Sequence, residues 1–493
     1  LRQNNGTRPE MNIILVLKII SYLLLIVSGF MLIPAGIALY KGEIAALFSF
    51  IPSLVFSIFF FIIIHFLSAR RSNNNLSTKD GFLFVTFSWI LASIIGALPY
   101  YLSGAIPSMA DAYFETMSGF TTTGASILGN IESLPMSILF WRSLTHWLGG
   151  MGIVVLTVAV LPLLGIGGLQ LIQAEAPGPT VDKLTPKIKE TAKLLWYIYT
   201  GLTLAEVMLL MFAGMGPFDA LTHTFGTVAT GGFSPKNTSV GYYNSAIVDW
   251  IITLFMVLAG INFTLHFRFI TGRHKYLLRD SELKAYLFIF FTAMLIIACD
   301  LYGSSCSTMA DSLRYAGFHA ASILTTTGFA TTDYENWPAL SQTVLMVLMF
   351  VGGCSGSTGG GIKVIRIVTL LKQAFNEMKY LIHPRGVFII KINGQPVKKD
   401  IVYAISGFFF LYILMLLATT MVAASSGSDF TTSFTGALCT VGNVGPGLGL
   451  VGPTKNFGFF PDYVKWFYSF AMLTGRLELY TVLILFTKTF WKK

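Results

Sequence analysis

The sequence predicts an all-α polytopic membrane protein with about ten transmembrane helices, arranged as an N-terminal helical hairpin followed by four pore-loop repeats around one pore. Three observations predict this fold: an apolar composition, ten long apolar segments, and a short motif that recurs four times. The 493 residues are 54% hydrophobic and 11% charged, and their mean hydropathy is +0.69. A soluble domain has about 25% charged residues, so lipid must solvate most of this chain.

Ten apolar segments are long enough to cross a bilayer, which requires about 20 apolar residues. We predict spans at residues 12–38, 44–68, 81–102, 136–168, 194–214, 247–271, 285–302, 338–373, 401–424 and 463–490. Residues 1–10 are polar and precede Met11, and we interpret them as an extension outside the fold. The predicted organisation is a two-helix hairpin at 11–70 and four repeats at 80–170, 187–272, 283–373 and 399–493.

A segment too short to span lies between the two spans of each repeat, at 111–126, 218–233, 311–329 and 429–443. These segments contain FTTTGAS, TVATGGFS, LTTTGFA and CTVGNVG. Aligned on their glycines, they place Gly124, Gly231, Gly328 and Gly442 in register. One such glycine is ordinary turn chemistry, but four in register between paired spans indicate an internal repeat.

Each short segment also has an acidic residue at its first or second position, namely Asp111, Asp219, Asp311 and Asp429. Carboxylates are favourable at the N-terminal end of a helix, and the short segments are predicted half-helices. For Asp111, Asp429 and the nearby Glu115, we favour helix capping over capture of a cation.

The repeated segments suit a path for dehydrated cations. Non-helical backbone at membrane depth is tolerated only where it lines a cavity or is buried in protein. Backbone carbonyls can replace the hydration shell of potassium, and glycine permits the dihedral angles that turn a carbonyl inward. The partial negative charge at the C-terminus of each half-helix favours a cation there. We therefore predict four filter strands that face one potassium path.

Lys and Arg are distributed unevenly between the predicted loops. Of the 33 basic residues, 26 lie on one side, in the terminal stretches and the loops 69–80, 170–194, 266–284 and 363–400. By the positive-inside rule this side is cytoplasmic, so both termini are cytoplasmic and the pore loops enter from outside. The net charge of +10 then reflects topology and anionic lipid, and we predict no nucleic-acid partner.

Enzymatic function is not predicted. The spans contain no cluster of carboxylates, histidines or cysteines that would suit catalysis, and the four cysteines, at 299, 306, 354 and 439, show no metal-ligand spacing. We interpret the cysteines as small apolar packing residues.

The pore loops resemble those of the Trk/Ktr/HKT superfamily of potassium transporters. Within it, QAEAPGP at 173–179, DKLTPKIKETAK at 182–193 and GGCSGSTGGGIKVIR at 352–366 are similar to segments of the TrkH-type membrane subunits of bacterial Trk systems. The resemblance extends over residues 11–493. It implies a bacterial cytoplasmic-membrane protein, a homodimer with one pore per protomer, and a cytosolic TrkA-type nucleotide-binding ring as partner. This chain itself has no predicted nucleotide site.

The resemblance also implies which residues hold the permeant potassium ion. Glycine at all four key positions is the potassium-favouring pattern of the superfamily, whereas serine at the position of Gly124 accompanies sodium permeability in some plant relatives. The implied filter residues are Thr122, Thr123 and Gly124; Ala229, Thr230 and Gly231; Thr326, Thr327 and Gly328; and Thr440, Val441, Gly442 and Asn443.

A glycine-rich stretch interrupts the eighth predicted span. Residues 352–361 include six glycines, and each costs a helix about 1 kcal/mol relative to alanine. We predict an unwound break within the membrane; the alternative is a surface linker between two helices. In the resemblance this stretch is the gate beneath the filter, formed by Gly352, Gly353, Ser355, Gly356, Ser357, Thr358, Gly359, Gly360 and Gly361.

Two arginines lie inside predicted spans, where charged residues are usually functional. Arg476 is predicted at the depth of the glycine-rich stretch, as an electrostatic barrier to cations; the alternative is a structural pairing with Glu478 or with a neighbouring carbonyl. Arg142 is predicted to support the filter from behind by pairing with Glu115.

These features together favour a channel-like pore. Four repeats in the same direction indicate a pore, whereas inverted repeats would indicate alternating access. A strictly coupled potassium/proton or potassium/sodium symporter remains the alternative, because fold does not determine energetics.

Overall fold

The computed structural model describes residues 11–68, 76–152 and 188–492. Four features of the sequence lie outside these residues: the predicted extension at 1–10, the second half of the span predicted at 136–168, the stretch QAEAPGP, and the first six residues of DKLTPKIKETAK. The N-terminal helices are α1 (Ile13–Phe30), α2 (Leu32–Lys41) and α3 (Ile44–Ser68), and α1 packs along α3.

The helices that follow form four units with the same order of elements. Each unit begins with a long helix, continues with a short helix, and ends with a further helix that is either less than a full span or interrupted. The first unit comprises α4 (Thr78–Leu102), α5 (Met109–Phe120) and α6 (Met136–Gly150). The second comprises α7 (Ile188–Phe212), α8 (Pro217–Val228), α9 (Ala246–Ala259) and α10 (Phe263–Ile270), and the small helix α11 (Lys275–Arg279) follows it.

The third unit comprises α12 (Ser281–Leu301), α13 (Met309–Leu324), α14 (Ala339–Leu348) and α15 (Val364–Ile382). A hairpin of β1 (Lys391–Ile392) and β2 (Gln395–Pro396) leads to the fourth. That unit comprises α16 (Lys399–Ala424), α17 (Phe430–Gly442), α18 (Asp462–Arg476) and α19 (Tyr480–Leu483), and α20 (Lys488–Trp491) follows. Four short 3₁₀ helices complete the described elements, at Ser239–Tyr243, Tyr334–Asn336, Gly449–Val451 and Ile484–Phe486.

The short helices α5, α8, α13 and α17 begin with sequence-encoded N-terminal signals. The side chains of Ser108, Thr308 and Asp429 accept hydrogen bonds from amides in the first turns of α5, α13 and α17, and Pro217 occupies the first turn of α8. Hydrogen bonds from the Thr432 side chain and amide lower the pKa of Asp429. Glu115 does not cap: it lies in the middle of α5 and pairs with Arg142 instead.

The four units pack in a closed ring. The short helix α5 packs against α18 of the fourth unit, α8 against α6 of the first, and α13 against α9 of the second. Residues at the end of α14 complete the ring, since the Met349 Sδ lies 3.9 Å from the Cys439 Sγ of α17 and the ring centroids of Phe350 and Phe434 lie 6.4 Å apart. Each short helix is thereby held between its own unit and the preceding one.

The prediction of about ten transmembrane helices is not confirmed. Among the described residues, six helices are long and apolar enough to span, or up to eight if two bent pairs each count as one. The predicted spans 247–271 and 463–490 are not straight, because α9 and α10 meet at 100° and the segments Asp462–Arg476 and Tyr480–Phe486 meet at 113°. At the second bend Glu478 and Leu479 have positive φ, of 56° and 53°, and no α-helix continues through residues with positive φ.

Candidate functional site

A three-residue segment with a shared backbone conformation follows each short helix. Its first residue is left-handed, with φ of 52° at Thr122, 55° at Thr230, 60° at Thr326 and 53° at Asn443. Its third residue is a glycine, with φ of 80° at Gly124, 78° at Gly232, 85° at Gly328 and 99° at Gly445. A left-handed backbone is rare for threonine, so its recurrence indicates that the surrounding structure imposes it. We call 122–124, 230–232, 326–328 and 443–445 the central segments.

The central segments contact one another in a closed cycle. A β-carbon on Gly124 would collide with the carbonyl of Gly231, one on Gly232 with that of Thr327, and one on Gly328 with that of Val444. The cycle closes because a β-carbon on Gly445 would lie 2.7 Å from the carbonyl oxygen of Thr123. Each glycine therefore faces the second residue of the next segment, and its missing side chain is required by this approach.

The cycle corrects the predicted register at two of four positions. The equivalents of Gly124 and Gly328 are Gly232 and Gly445, so the assignment of Gly231 and Gly442 to this position is wrong. In the second unit, Ala229 caps α8 and precedes the segment. In the fourth, α17 continues through Gly442 and places three predicted residues inside the helix: Thr440, Val441 and Gly442.

Side chains behind the central segments hold their backbones. In the first unit the Thr121 and Thr123 hydroxyl oxygens lie 2.7 Å apart, and in the third those of Thr325 and Thr327 lie 2.7 Å apart. In the fourth, the Asn443 Nδ2 donates to the Thr123 Oγ1 at 2.9 Å and to the Met472 carbonyl at 3.0 Å. Asn443 thus ties the fourth segment to the first.

A buried ion pair supports the segments from behind. The Arg142 Nε lies 2.6 Å from the Glu115 Oε1, and the Arg142 Nη1 donates to the Ser234 carbonyl at 2.9 Å. Glu115 also accepts hydrogen bonds from the Ser126 hydroxyl at 2.9 Å and the Ile127 amide at 3.0 Å. The pair therefore connects the stretch after the first segment with the stretch after the second, and the predicted pairing of Arg142 with Glu115 is observed.

A cavity lies at one end of the central segments, and it is lined by Gly124, Gly232, Gly328 and Gly445 among others. At the other end lies the stretch 349–363, which separates α14 from α15 and includes the glycine-rich residues 352–361. Its Gly360 amide donates to the Thr326 Oγ1 at 2.7 Å, and a β-carbon on Gly360 would lie 2.7 Å from the Gly442 carbonyl oxygen. We call 349–363 the gate loop, after the role that the resemblance implies for its glycine-rich residues.

The gate loop also bonds to the second unit. The Thr358 hydroxyl lies 3.1 Å from the carbonyl oxygen of Val228, at the end of α8, and 3.3 Å from that of Ala259. The Cys354 amide donates to the Gly260 carbonyl at 2.8 Å. The loop thus contacts the ends of α8, α9 and α17 and the third central segment.

Arg476 joins the gate loop to the first unit. Its Nη1 donates to the Thr358 carbonyl at 2.7 Å, and its Nη2 donates to the Gly149 carbonyl at 2.8 Å and the Gly150 carbonyl at 3.2 Å. These contacts place Arg476 at the depth of the loop and match the carbonyl alternative for its pairing. Glu478, the other predicted partner, forms an ion pair with Arg366.

Comparisons with known proteins identify the family. The TrkH family model, described as cation transport protein, matches residues 52–493. The Trk system potassium uptake protein TrkH of Vibrio parahaemolyticus is 42% identical over 485 residues, which cover 97% of this chain and 99% of that protein. The chain belongs to the TrkH family.

Further relatives of the TrkH family agree. The TrkH protein of Escherichia coli strain K12 is 40% identical over 487 residues, covering 97% of this chain and 99% of that protein. The crystal structure of the potassium transporter TrkH from Vibrio parahaemolyticus matches with a TM-score of 0.86 at 39% identity, covering 98% of this chain and 100% of that one. The resemblance predicted from the sequence is confirmed, and so is the prediction of a transport protein rather than an enzyme.

The sequence reasoning missed Gly232, Val444 and Gly445 of this TrkH-family site. A signal was present for each: TGG contains two glycines, and NVG begins with asparagine, the residue besides glycine that most readily adopts the left-handed conformation. Within the described residues, no group of three or more His, Cys, Asp or Glu side chains could hold a metal ion.

Proposed function

We propose that this chain mediates potassium uptake across the bacterial cytoplasmic membrane through a channel-like pore along the axis of the central segments. The observation that carries the proposal is the closed cycle of contacts between Gly124, Gly232, Gly328 and Gly445 and the neighbouring carbonyls. A cyclic array of backbone carbonyls is the arrangement by which potassium filters replace the hydration shell of the ion. Potassium is the transported substrate here, and no nucleotide site is proposed on this chain.

The carbonyls proposed for the filter come from all three positions of each central segment. The ring formed by Thr123, Gly231, Thr327 and Val444 is best supported, because each of these carbonyls lies beside a glycine of the adjacent segment. The short helices end where the segments begin, so the negative ends of four helix dipoles face the same axis. Selectivity then depends on how firmly the segments hold their carbonyls.

The gate loop is the proposed gate, because it contacts the third central segment and the ends of α8 and α17 at the end opposite the cavity. Opening requires that Thr358 and Gly360 release their contacts with Val228, Arg476 and Thr326. Arg476 is the proposed electrostatic barrier, because its positive charge lies at the loop that a cation must pass. A loop held by a few hydrogen bonds can move while the cycle stays closed.

The topology and partners are proposed on sequence grounds. The basic loops place both termini in the cytoplasm, so the cavity lined by the four glycines opens to the outside and the gate loop lies on the cytoplasmic side. The relatives are named as Trk system proteins, which supports association with other components. We propose a homodimer and a cytosolic TrkA-type nucleotide-binding ring as the regulatory partner.

The direct test is a reversal-potential measurement on the purified chain in planar bilayers under opposed potassium, sodium and proton gradients. A channel-like pore gives a reversal potential that follows the potassium gradient alone. A reversal potential that shifts with the proton or sodium gradient by a constant stoichiometric factor would instead establish a coupled symporter. Absence of any potassium-dependent current or rubidium flux would contradict the proposed function.

A further inference from the structure

The carboxylate of Glu282 bonds to the gate loop and to the helix that follows it. Its Oε1 accepts a hydrogen bond from the Ser355 amide at 2.7 Å and from the Ile365 amide at 3.1 Å. Ser355 belongs to the gate loop and Ile365 to the first turn of α15, so one oxygen ties the loop to the helix that follows it. Glu282 is only 7% exposed, and a buried carboxylate with two amide donors forms strong, charge-assisted hydrogen bonds.

The same end of α12 is bound to the β1–β2 hairpin. The Asn393 Oδ1 accepts hydrogen bonds from the Ser281 amide at 2.7 Å and the Ser281 hydroxyl at 2.8 Å. Its Nδ2 donates to the Asp280 Oδ2 at 3.0 Å, and the other oxygen of Asp280 caps α12 by accepting from the Leu283 amide at 2.8 Å. The residues that Asn393 holds are thus the two that precede Glu282.

The hairpin tip is built for this contact. Asn393 and Gly394 both have positive φ, at 49° and 80°, as the central residues of a tight two-residue hairpin turn require. A second bond joins the hairpin to the helix after the loop, since the Lys372 Nζ of α15 donates to the Lys391 carbonyl at 2.8 Å. The hairpin therefore bonds to α12, which carries the Glu282 side chain, and to α15, whose Ile365 amide shares that carboxylate with the gate loop.

We propose that Glu282 is the positioning residue of the gate and that the β1–β2 hairpin is the handle through which a force applied from the cytoplasmic side reaches it. A displacement of the hairpin moves Asp280 and Ser281, and with them the Glu282 carboxylate. The Ser355 and Ile365 amides then lose their common acceptor, and the loop is released from α15. This inference rests on the proposed function of the gate loop.

The test uses the full-length protein and two readouts. One is rubidium uptake into proteoliposomes containing this chain alone, and the other is amide hydrogen exchange of the peptide that covers Ser355 and Ile365. Glu282→Gln keeps the shape of the acceptor but removes its charge. We expect uptake to rise by about tenfold, the factor that corresponds to about 1.4 kcal/mol, together with faster exchange of the peptide. The matched control is Glu377→Gln, which changes an exposed carboxylate on α15.

A second variant tests the hairpin. Asn393→Gly removes the amide side chain while glycine still suits the left-handed turn. We expect faster exchange at Ser355 and Ile365, which Asn393 does not contact, and a rise in uptake smaller than that of Glu282→Gln. The double variant should match Glu282→Gln alone, because residues that act through one another are not additive.

Three outcomes would overturn the inference: unchanged exchange in Asn393→Gly, additive effects in the double variant, or an effect of Glu282→Gln no larger than that of Glu377→Gln. If Glu282→Gln does not fold, the exchange measurement on Asn393→Gly decides alone. Failure of the proposed function looks different, because neither the wild-type chain nor any variant would then transport rubidium. A wild type that transports rubidium, with loop exchange indifferent to the hairpin, refutes only the coupling.

Discussion

The central segments and the gate loop are held in opposite ways. The contacts of the central segments repeat around a cycle, since each of four glycines meets the backbone carbonyl of the next segment. The contacts of the gate loop occur once each: Arg476 comes from the fourth unit, Val228 from the second and Glu282 from the third. We therefore expect the cycle to be the more rigid part, because every member supports its neighbours. We expect the gate loop to be able to change its contacts without opening the cycle.

The difference also appears inside the cycle. The first and third units use the same pair of hydroxyls, Thr121 with Thr123 and Thr325 with Thr327. The fourth unit replaces them with Asn443, whose amide reaches across to the Thr123 Oγ1. The four positions are therefore equivalent in backbone conformation but not in the side chains that support it.

The largest expected effect concerns the ion pair behind the cycle. Arg142→Met leaves the buried carboxylate of Glu115 without its charge partner, and loss of one partner of a buried pair costs about 3–5 kcal/mol. We expect a lower unfolding temperature and loss of uptake, measured in detergent and in proteoliposomes. Lys455→Met is the control, because the Lys455–Glu335 pair spans 2.8 Å with a Lys455 side chain that is 43% exposed, and exposed pairs contribute about 0–1 kcal/mol.

A double variant separates charge from packing. Glu115→Gln with Arg142→Met removes both charges, and it should recover part of the stability lost in Arg142→Met. Equal stability of Arg142→Met and Lys455→Met would mean that the central segments do not depend on the buried pair.

The next effect concerns the gate loop. At an effective dielectric of about 20, a fixed charge about 5–8 Å from a cation repels it by about 2–3 kcal/mol, which is about thirty- to a hundredfold in rate. Arg476→Ala removes this charge and the bond to the Thr358 carbonyl, so potassium or rubidium flux per folded protein should rise by that order. The filter preference should not change, because the cycle does not include Arg476.

Arg476→Lys separates the two causes. Lysine keeps the charge, but one ammonium does not reproduce the guanidinium fork that joins Thr358 to Gly149 and Gly150. A small rise in flux would show that the charge is the main barrier, and a rise equal to that of Arg476→Ala would assign the barrier to the lost bonds. A fall in flux per folded Arg476→Ala protein would contradict a barrier of either kind.

Only part of the structure could be predicted from the sequence. Motif spacing and apolar length predicted three features: the repeat, the pairing of Arg142 with Glu115, and the shared depth of Arg476 and the glycine-rich stretch. The bend at Glu478 and Leu479 was not, since neither residue type favours a left-handed backbone and tertiary contacts impose it. Glu282 was missed because nothing in the charged stretch around it distinguishes one carboxylate from another.

A smaller effect is expected at the first glycine of the cycle. Gly124 has φ of 80°, and a β-carbon there would collide with the Gly231 carbonyl. Gly124→Ser should therefore displace this carbonyl and lower the preference for potassium over sodium, by about tenfold for a cost of about 1.4 kcal/mol. Bi-ionic potentials measure the permeability ratio directly. An unchanged ratio would exclude the Gly231 carbonyl from the selective part of the filter.

The smallest expected effect is the most direct test of the register in the fourth unit. The sequence alignment assigns Gly442 to the position equivalent to Gly124, whereas the structure assigns Gly445 to it. Gly442 is the last residue of α17, where a β-carbon would lie 3.3 Å from both the Met349 carbonyl oxygen and the Val444 Cγ2. Small adjustments accommodate it, and alanine is favoured over glycine in a helix by about 1 kcal/mol, so Gly442→Ala should leave the permeability ratio and uptake close to wild type. Gly445, with φ of 99°, belongs to the cycle, and Gly445→Ala should lower the potassium preference as Gly124→Ser does. If Gly442→Ala were the selective defect and Gly445→Ala the neutral change, the cycle of contacts would not be the filter, and the register read from the motif alone would be the correct one.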